Sequence, residues 1–316
     1  MNYLSALSYT LHVTAPVFVI VFVGFVLKRV GIIDTHFVTK ASDLVFKVCL
    51  PVLIFLSMLD NDLDLTTQAP LVLFSVCAAV ISFWLLWLLS RRWVPHADRG
   101  VVVQGAFRSN LGIIGIALCA KAFGQPGLTI GAILLAVVTP VFNILSVFAL
   151  NRSIQPDKTI NWGKTIGDIL KNPLIIAIIL GFLCNGLDLK LPKVMYDASQ
   201  YLARMTLPLA LLAIGGSVSF SELKSTSTLS FMAVCSKLVV IPIAIGAAAY
   251  YAGFSGVALG CILLMFASPT AAASFVMVKS MGGNAQLASN IVAVSTLFSM
   301  FTISFLLYLA KVLAWI

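Results

Sequence analysis

Two short polar clusters interrupt long apolar runs, Arg108-Ser109-Asn110 and Ser268-Pro269-Thr270. Ser and Asn are N-cap types, and Pro is favoured at the first helical position. Each cluster therefore reads as a place where a new helix begins. The stretch 263–279 is apolar enough to lie in a membrane, and its second half-helix is expected to start at Ser268, with Pro269 in the first turn. A helix that starts inside a bilayer presents unpaired N–H groups and a positive dipole end. Two such ends converging suit an anion, most naturally a carboxylate. Asn110 and the N–H groups after Ser109 and Ser268 are expected to hold it, with Thr270 alongside, and Gly112 and Gly115 loosen the backbone just beyond. Arg108 is costly in a membrane unless it faces a cavity or reaches the headgroups, so it either draws substrate electrostatically or meets a structural partner.

Other polar residues rank behind these. Thr139, Asn143 and Ser295 are candidate cavity lining, and Pro51 and Pro208 are expected to kink their helices toward the centre. Lys279 either snorkels or guards the cytoplasmic mouth. Lys47 and Asp43 have the spacing of an i,i+4 ion pair, and Gly215-Gly216-Ser217 has the small side chains of a close helix contact. The six cysteines lack CxxC spacing and the three histidines are isolated, so neither disulfides nor a metal site is expected. No nucleophile–base pair suggests an enzyme, and no cofactor is implied. Sodium or proton coupling stays open: the central spans hold no deep acid for a proton relay, while Asn, Ser, Thr and carbonyl oxygens could bind sodium.

The elements that must position these clusters are membrane helices. Of 316 residues, 60% are hydrophobic and 10% charged, against about 25% charged in a soluble domain. The net charge of +9 calls for no nucleic-acid partner, because basic residues of such chains collect in cytoplasmic loops. The N-terminus has no basic region or cleavage site of a removed signal peptide. Ten apolar windows follow, at 8–30, 37–58, 68–90, 99–122, 127–150, 166–187, 195–218, 226–253, 255–279 and 287–309. Twelve Lys and Arg flank alternate loops against four on the other side, whose loop after the second span carries Asp60, Asp62 and Asp64. That bias puts both termini outside the cytoplasm of a multi-pass protein in the cell (inner) membrane.

The chain also repeats itself. An offset of 157 pairs Pro16 with Pro173, Gly24 with Gly181, Leu50-Pro51 with Leu207-Pro208, Lys47 with Arg204, and Thr139 with Thr296. An offset of 159 pairs Ser109 with Ser268, Asn110 with Pro269, and Gly124 with Gly283. Residues 1–151 and 166–316 then form two five-helix repeats joined by a cytoplasmic connector, 152–165. An odd number of spans inverts one repeat against the other, and broken helices at matching positions mark a secondary transporter's site. Asn110 lies about ten residues into its span, roughly 15 Å deep and near mid-membrane.

These segments resemble the auxin efflux carrier family, which includes plant auxin exporters and bacterial malonate and malate carriers. The resemblance rests on Gly24-Phe25-Val26-Leu27-Lys28, Leu50-Pro51, the run from Arg108 to Gly115, Asn172-Pro173-Leu174, the run from Leu207 to Gly215, and Ser268-Pro269-Thr270 with Lys279. It implies an all-α integral membrane fold of ten helices in two inverted repeats, of the sodium/bile-acid-symporter and NhaA type, with broken helices four and nine crossing at the substrate. It further implies elevator-like movement of a transport domain against a scaffold, usually in a homodimer. By resemblance Asn110 hydrogen-bonds the substrate carboxylate, Pro269 is the crossover proline, and Lys279 is the lysine downstream of it. The plant pattern has prolines where this chain has Ser109 and Ala117, and its long cytoplasmic loop is absent. The expected activity is transport of small organic carboxylates, indole acids or dicarboxylates, as potential-driven efflux. The alternatives are a proton- or sodium-coupled malonate or malate importer and, from another class, an anion channel.

Overall fold

The computed structural model describes residues 3–59, 65–154, 163, 166–167, 170–189, 191–217 and 227–316. The acidic loop Asp60 to Asp64, the cations Lys158, Lys164, Lys190 and Lys224, and most of the 152–165 connector lie outside them. The described residues are helical, with one isolated β-bridge and no strand. In chain order the helices are α1 (Tyr3–Arg29), α2 (Thr35–Leu59), α3 (Leu65–Leu89), α4 (His96–Phe107), α5 (Leu111–Ile154), α6 (Pro173–Gly186), α7 (Lys193–Ser217), α8 (Thr228–Tyr251), α9 (Gly256–Ala267), α10 (Ala273–Ser280) and α11 (Ala285–Val312). Among the described residues, six segments are long and apolar enough to cross a membrane: α1, α2, residues 68–92, α5, α8 and α11. Helices α6 and α9 are apolar but shorter, and α7 carries Lys193, Asp197 and Arg204 in its first half.

Local chemistry explains the irregularities. Helix α5 bends at Gly124, whose φ of 62° and ψ of −142° belong to a region that only glycine enters cheaply. It therefore has two arms, 111–123 and 125–154. Helix α6 starts at Pro173 rather than near 166, because the Asn172 side chain accepts the Leu174 N–H at 2.9 Å and proline occupies the first helical position. Wide π-turns interrupt α2 at Val45–Cys49 and α8 at Ser236–Val240. Each lies just before a proline, Pro51 or Pro242, which has no N–H for the carbonyl four residues back and crowds it. Pro208 sits within α7 and is exposed. Lys47 and Asp43 do form their ion pair, at 3.2 Å and largely exposed, so it adds little stability.

The helices pack in two groups. In one, α7 packs on α1 and α2, and α6 packs on α2. In the other, α3, α4, α5, α8, α9, α10 and α11 pack together around α4 and α5; α1 also packs against α11 across the two groups. In the first group backbones approach closely. A Cβ on Gly24 would lie 2.3 Å from the Leu212 carbonyl, and one on Gly215 would lie 1.9 Å from the Val21 carbonyl. Neither neighbour is a flexible side-chain tip, so the helices themselves would have to part. Gly215→Leu is therefore expected to lower the folded, detergent-extractable yield severalfold and to cost a few kcal/mol. A thermal midpoint equal to that of the unsubstituted protein would show that this contact does not hold α1 to α7. In the second group, edge-to-face rings run from Phe83 to Phe107, Phe142 and Phe266, and lead to the two helix breaks.

Candidate substrate site at two helix breaks

Helical bonding stops at Phe107 and resumes at Leu111, and it stops again at Ala267 and resumes at Ala273. The two gaps pair with each other. Ser109 and Thr270 form an antiparallel bridge. The Asn110 N–H donates to the Pro269 carbonyl at 2.7 Å, and the Ala271 N–H donates to the Arg108 carbonyl at 3.1 Å. Each gap also caps the other's helix: the Thr270 hydroxyl donates to the Gly105 carbonyl of α4 at 2.6 Å, and the Ser109 hydroxyl donates to the Phe266 carbonyl of α9 at 3.3 Å. Buried backbone groups freed by a break need such partners in lipid. In the second gap Pro269 also disfavours a helical Ser268, which is extended at φ −60°, ψ 147°. The first gap has no proline, and its pairing with the second meets part of the groups it frees.

This geometry corrects the expected capping. Ser268 is the C-cap of α9, not the N-cap of a second half: its N–H donates to Leu264 and its hydroxyl to the Met265 carbonyl at 2.8 Å. Helix α10 begins four residues after Pro269, because 269–271 are engaged in the bridge. Asn110 does stand at the N-cap position before Leu111, but its side chain makes no capping bond. The pooled N–H groups are also fewer than expected, since those of Asn110 and Ala271 are paired and that of Thr270 donates to the Ser295 hydroxyl at 3.2 Å. Donors remain in the first turn of α5, whose first closing bond is Gly115 N–H to Asn110 O at 3.0 Å.

A cavity of about 110 Å³ lies against this junction. Arg108, Ser109, Asn110, Gly112, Thr139 and Ala271 to Ala273 line it from the second helix group, and Phe46 and Leu174 line it from the first. Gly112 stands in the wide π-turn Leu111–Gly115 that opens α5, and a Cβ there would lie 3.3 Å from the Phe46 ring. A second cavity, of about 240 Å³, is bordered by Lys28, Thr39, Ser217, Phe275 and Thr296, and Ala272 borders both. Thr139 in one and Thr296 in the other are the 157-residue pair read from the sequence.

Two polar groups on the first cavity stand out. Arg108 is 6% exposed, and its guanidinium donates to Asn143 Oδ1 at 2.6 Å and toward Met277 Sδ at 2.6 Å. Both partners are neutral, and a buried charge without a counter-charge is costly. Asn110 is 7% exposed, and among the described residues its side-chain amide has no hydrogen-bond partner. An anion in the cavity would supply both.

The structure thus brings Arg108, Ser109, Asn110, Gly112 and Thr139 together. Ser268, Pro269 and Thr270 form the wall behind them; Ser295 accepts from the Thr270 N–H in that wall, and Asn143 accepts from Arg108. Pro51 is buried but does not line the cavity, and exposed Lys279 lies 5.9 Å from the Phe275 ring, away from it. Lys237 escaped sequence reading. It is a lone cation in the apolar run of α8, and any ionisable residue in a membrane span warrants notice. Its ammonium donates to the Ser109 hydroxyl and to the Phe266 carbonyl.

The comparisons agree with this setting. A family model described as membrane transport protein matches residues 9–307. The chain belongs to the membrane transport protein family. This is the auxin efflux carrier family that its motifs resemble, and its members are transporters rather than enzymes. Among its relatives, the chain is 24% identical to a "Putative malonate transporter" of Rhizobium meliloti, over 94% of each chain. It is 23% identical to an "Uncharacterized transporter" of Methanothermobacter thermautotrophicus, covering 90% of this chain and 93% of the other. A third relative, an uncharacterized transporter of Methanocaldococcus jannaschii, is 22% identical, covering 93% of this chain and 96% of the other.

Proposed function

We propose that this transporter carries short organic carboxylates, and that the carboxylate binds in the cavity between Arg108, Asn110 and the first turn of α5. The observation that carries the reading is the pair of unmet groups there, a buried guanidinium with neutral partners and a buried amide with none. The relative named for malonate supports the substrate class. The cavity of about 110 Å³ has room for a short carboxylate at this junction.

The same reading takes the chain as ten spans in two inverted repeats, 1–151 and 166–316, joined by 152–165. Helix α4 with the first arm of α5 is then span four, and α9 with α10 is span nine. The cavity lies between the two helix groups, which suits an elevator in which α3, α4, α5, α8, α9, α10 and α11 carry the site past a scaffold of α1, α2, α6 and α7. The protein works as a homodimer in the cell membrane with both termini outside the cytoplasm. A monoanion leaving a cell at −100 mV gains about 2.3 kcal/mol, which is enough to drive efflux without a coupled ion.

Counterflow in proteoliposomes tests this. Unlabelled malonate on the far side is expected to accelerate entry of labelled malonate, whereas ohmic current without acceleration would make the protein a channel. Asn110→Ala is expected to remove malonate-induced thermal stabilisation with normal expression. Undiminished malonate affinity would take Asn110 out of the site.

A further inference from the structure

Lys237 sits in the π-turn of α8 and is fully buried, at 0% exposure. Its ammonium donates to the Phe266 carbonyl at 2.8 Å and to the Ser109 hydroxyl, and neither partner is a carboxylate. The Ser109 hydroxyl donates to the same carbonyl. Phe266 supplies one of the last four carbonyls of α9, where the helix dipole is negative. The neighbouring end carbonyls are already met, Leu264 by the Ser268 N–H and Met265 by the Ser268 hydroxyl. One positive charge therefore closes the end of a half-helix and touches both breaks at once.

In transporters built from broken helices, the C-terminal ends of half-helices and unwound carbonyls are where a coupling cation is coordinated. Here a hydroxyl and a carbonyl of that kind converge on a tethered ammonium instead. We propose that Lys237 is a built-in counter-cation standing where a coupling sodium ion would sit, so that transport through this site needs no sodium. The proposal rests on reading the junction as the substrate site. Lys237 is a positioning residue: it fixes Ser109 against α9 and so sets the wall on which Asn110 and Arg108 stand. Arg108, the other buried cation of the junction, faces the cavity and stays available to the anion.

The experiment uses the purified full-length protein in sodium, choline or methylammonium chloride, reading its thermal midpoint and labelled malonate exchange in proteoliposomes. The unsubstituted protein is expected to behave alike in sodium and choline, within twofold in exchange rate. Lys237→Ala leaves the Ser109 hydroxyl and Phe266 carbonyl facing a vacated space. It is expected to lose about tenfold in exchange in choline, the scale of one hydrogen bond to a charged group, and to recover in sodium or methylammonium. Its midpoint should rise by about 3 °C or more in the same salts. Lys237→Met keeps most of the bulk but no charge, and is expected to lose exchange in every salt.

Sodium-stimulated exchange or sodium stabilisation of the unsubstituted protein would overturn the proposal. So would a Lys237→Ala protein indifferent to both cations, or a Lys237→Met protein with full exchange. Should Lys237→Ala not fold, the unsubstituted and Met proteins decide. Cation-responsive melting of Lys237→Ala without malonate exchange by any form would sink the carboxylate reading and keep Lys237 as the resident cation.

Discussion

Arg108→Met is expected to cut malonate exchange by about a hundredfold or more while leaving folded yield close to normal. Removing one partner of a buried ion pair costs about 3–5 kcal/mol, and each 1.4 kcal/mol is roughly a factor of ten. The pair in question forms only with substrate bound, because in the protein alone the guanidinium meets Asn143 and Met277, both neutral. Stability should survive for the same reason, since Met removes a desolvated charge and fills similar space beside an apolar thioether. Arg108→Lys is expected to restore only part of the exchange, for a single ammonium cannot reproduce a fork that reaches Asn143 and Met277 while facing the cavity. Exchange within twofold of the unsubstituted rate in Arg108→Met would make Arg108 a strut of α5 and not part of the anion site.

The helical membrane fold was legible because it follows from composition and from apolar windows that any bilayer requires. The positions of the two breaks were legible too: Pro269 disfavours a helical Ser268, and the repeat offset led from it to Ser109 and Asn110. What local sequence could not reveal was how the breaks are satisfied. Ser268 has the chemistry of an N-cap, yet its hydroxyl turns back to Met265 because residues 269–271 are drawn into pairing with a segment about 160 residues earlier. Capping preferences describe a helix end exposed to water or its own turn, and here the competing partner is tertiary. Gly112, read as a loose joint, does stand in a wide π-turn, while its approach to Phe46 is set by packing that local sequence does not carry. Lys237 is a different omission. Its burial against Ser109 and Phe266 is set by the packing of α8 on the junction, but its presence in an apolar span was visible from the start.

Pro269→Ala probes that junction at its least redundant residue, and transport is expected to fall about tenfold with the thermal midpoint nearly unmoved. Alanine restores an N–H whose helical acceptor is the Met265 carbonyl, now met by the Ser268 hydroxyl, and it frees Ser268 to turn helical. Replacing proline by alanine inside a helix is worth up to about 3 kcal/mol. Extending α9 through 269–271 would in turn break the bonds from Asn110 N–H to Pro269 and from Ala271 N–H to Arg108, and the Thr270 cap on Gly105. At about 1 kcal/mol each, those three losses nearly match the gain. The broken and the healed helix should therefore be populated together, which lowers flux without unfolding the protein. Amide exchange gives the decisive reading. The Asn110 N–H, protected by its bond to residue 269, should exchange faster in Pro269→Ala. Unchanged protection together with unsubstituted flux would mean that the Ser109–Thr270 bridge, and not the proline, keeps the second helix broken.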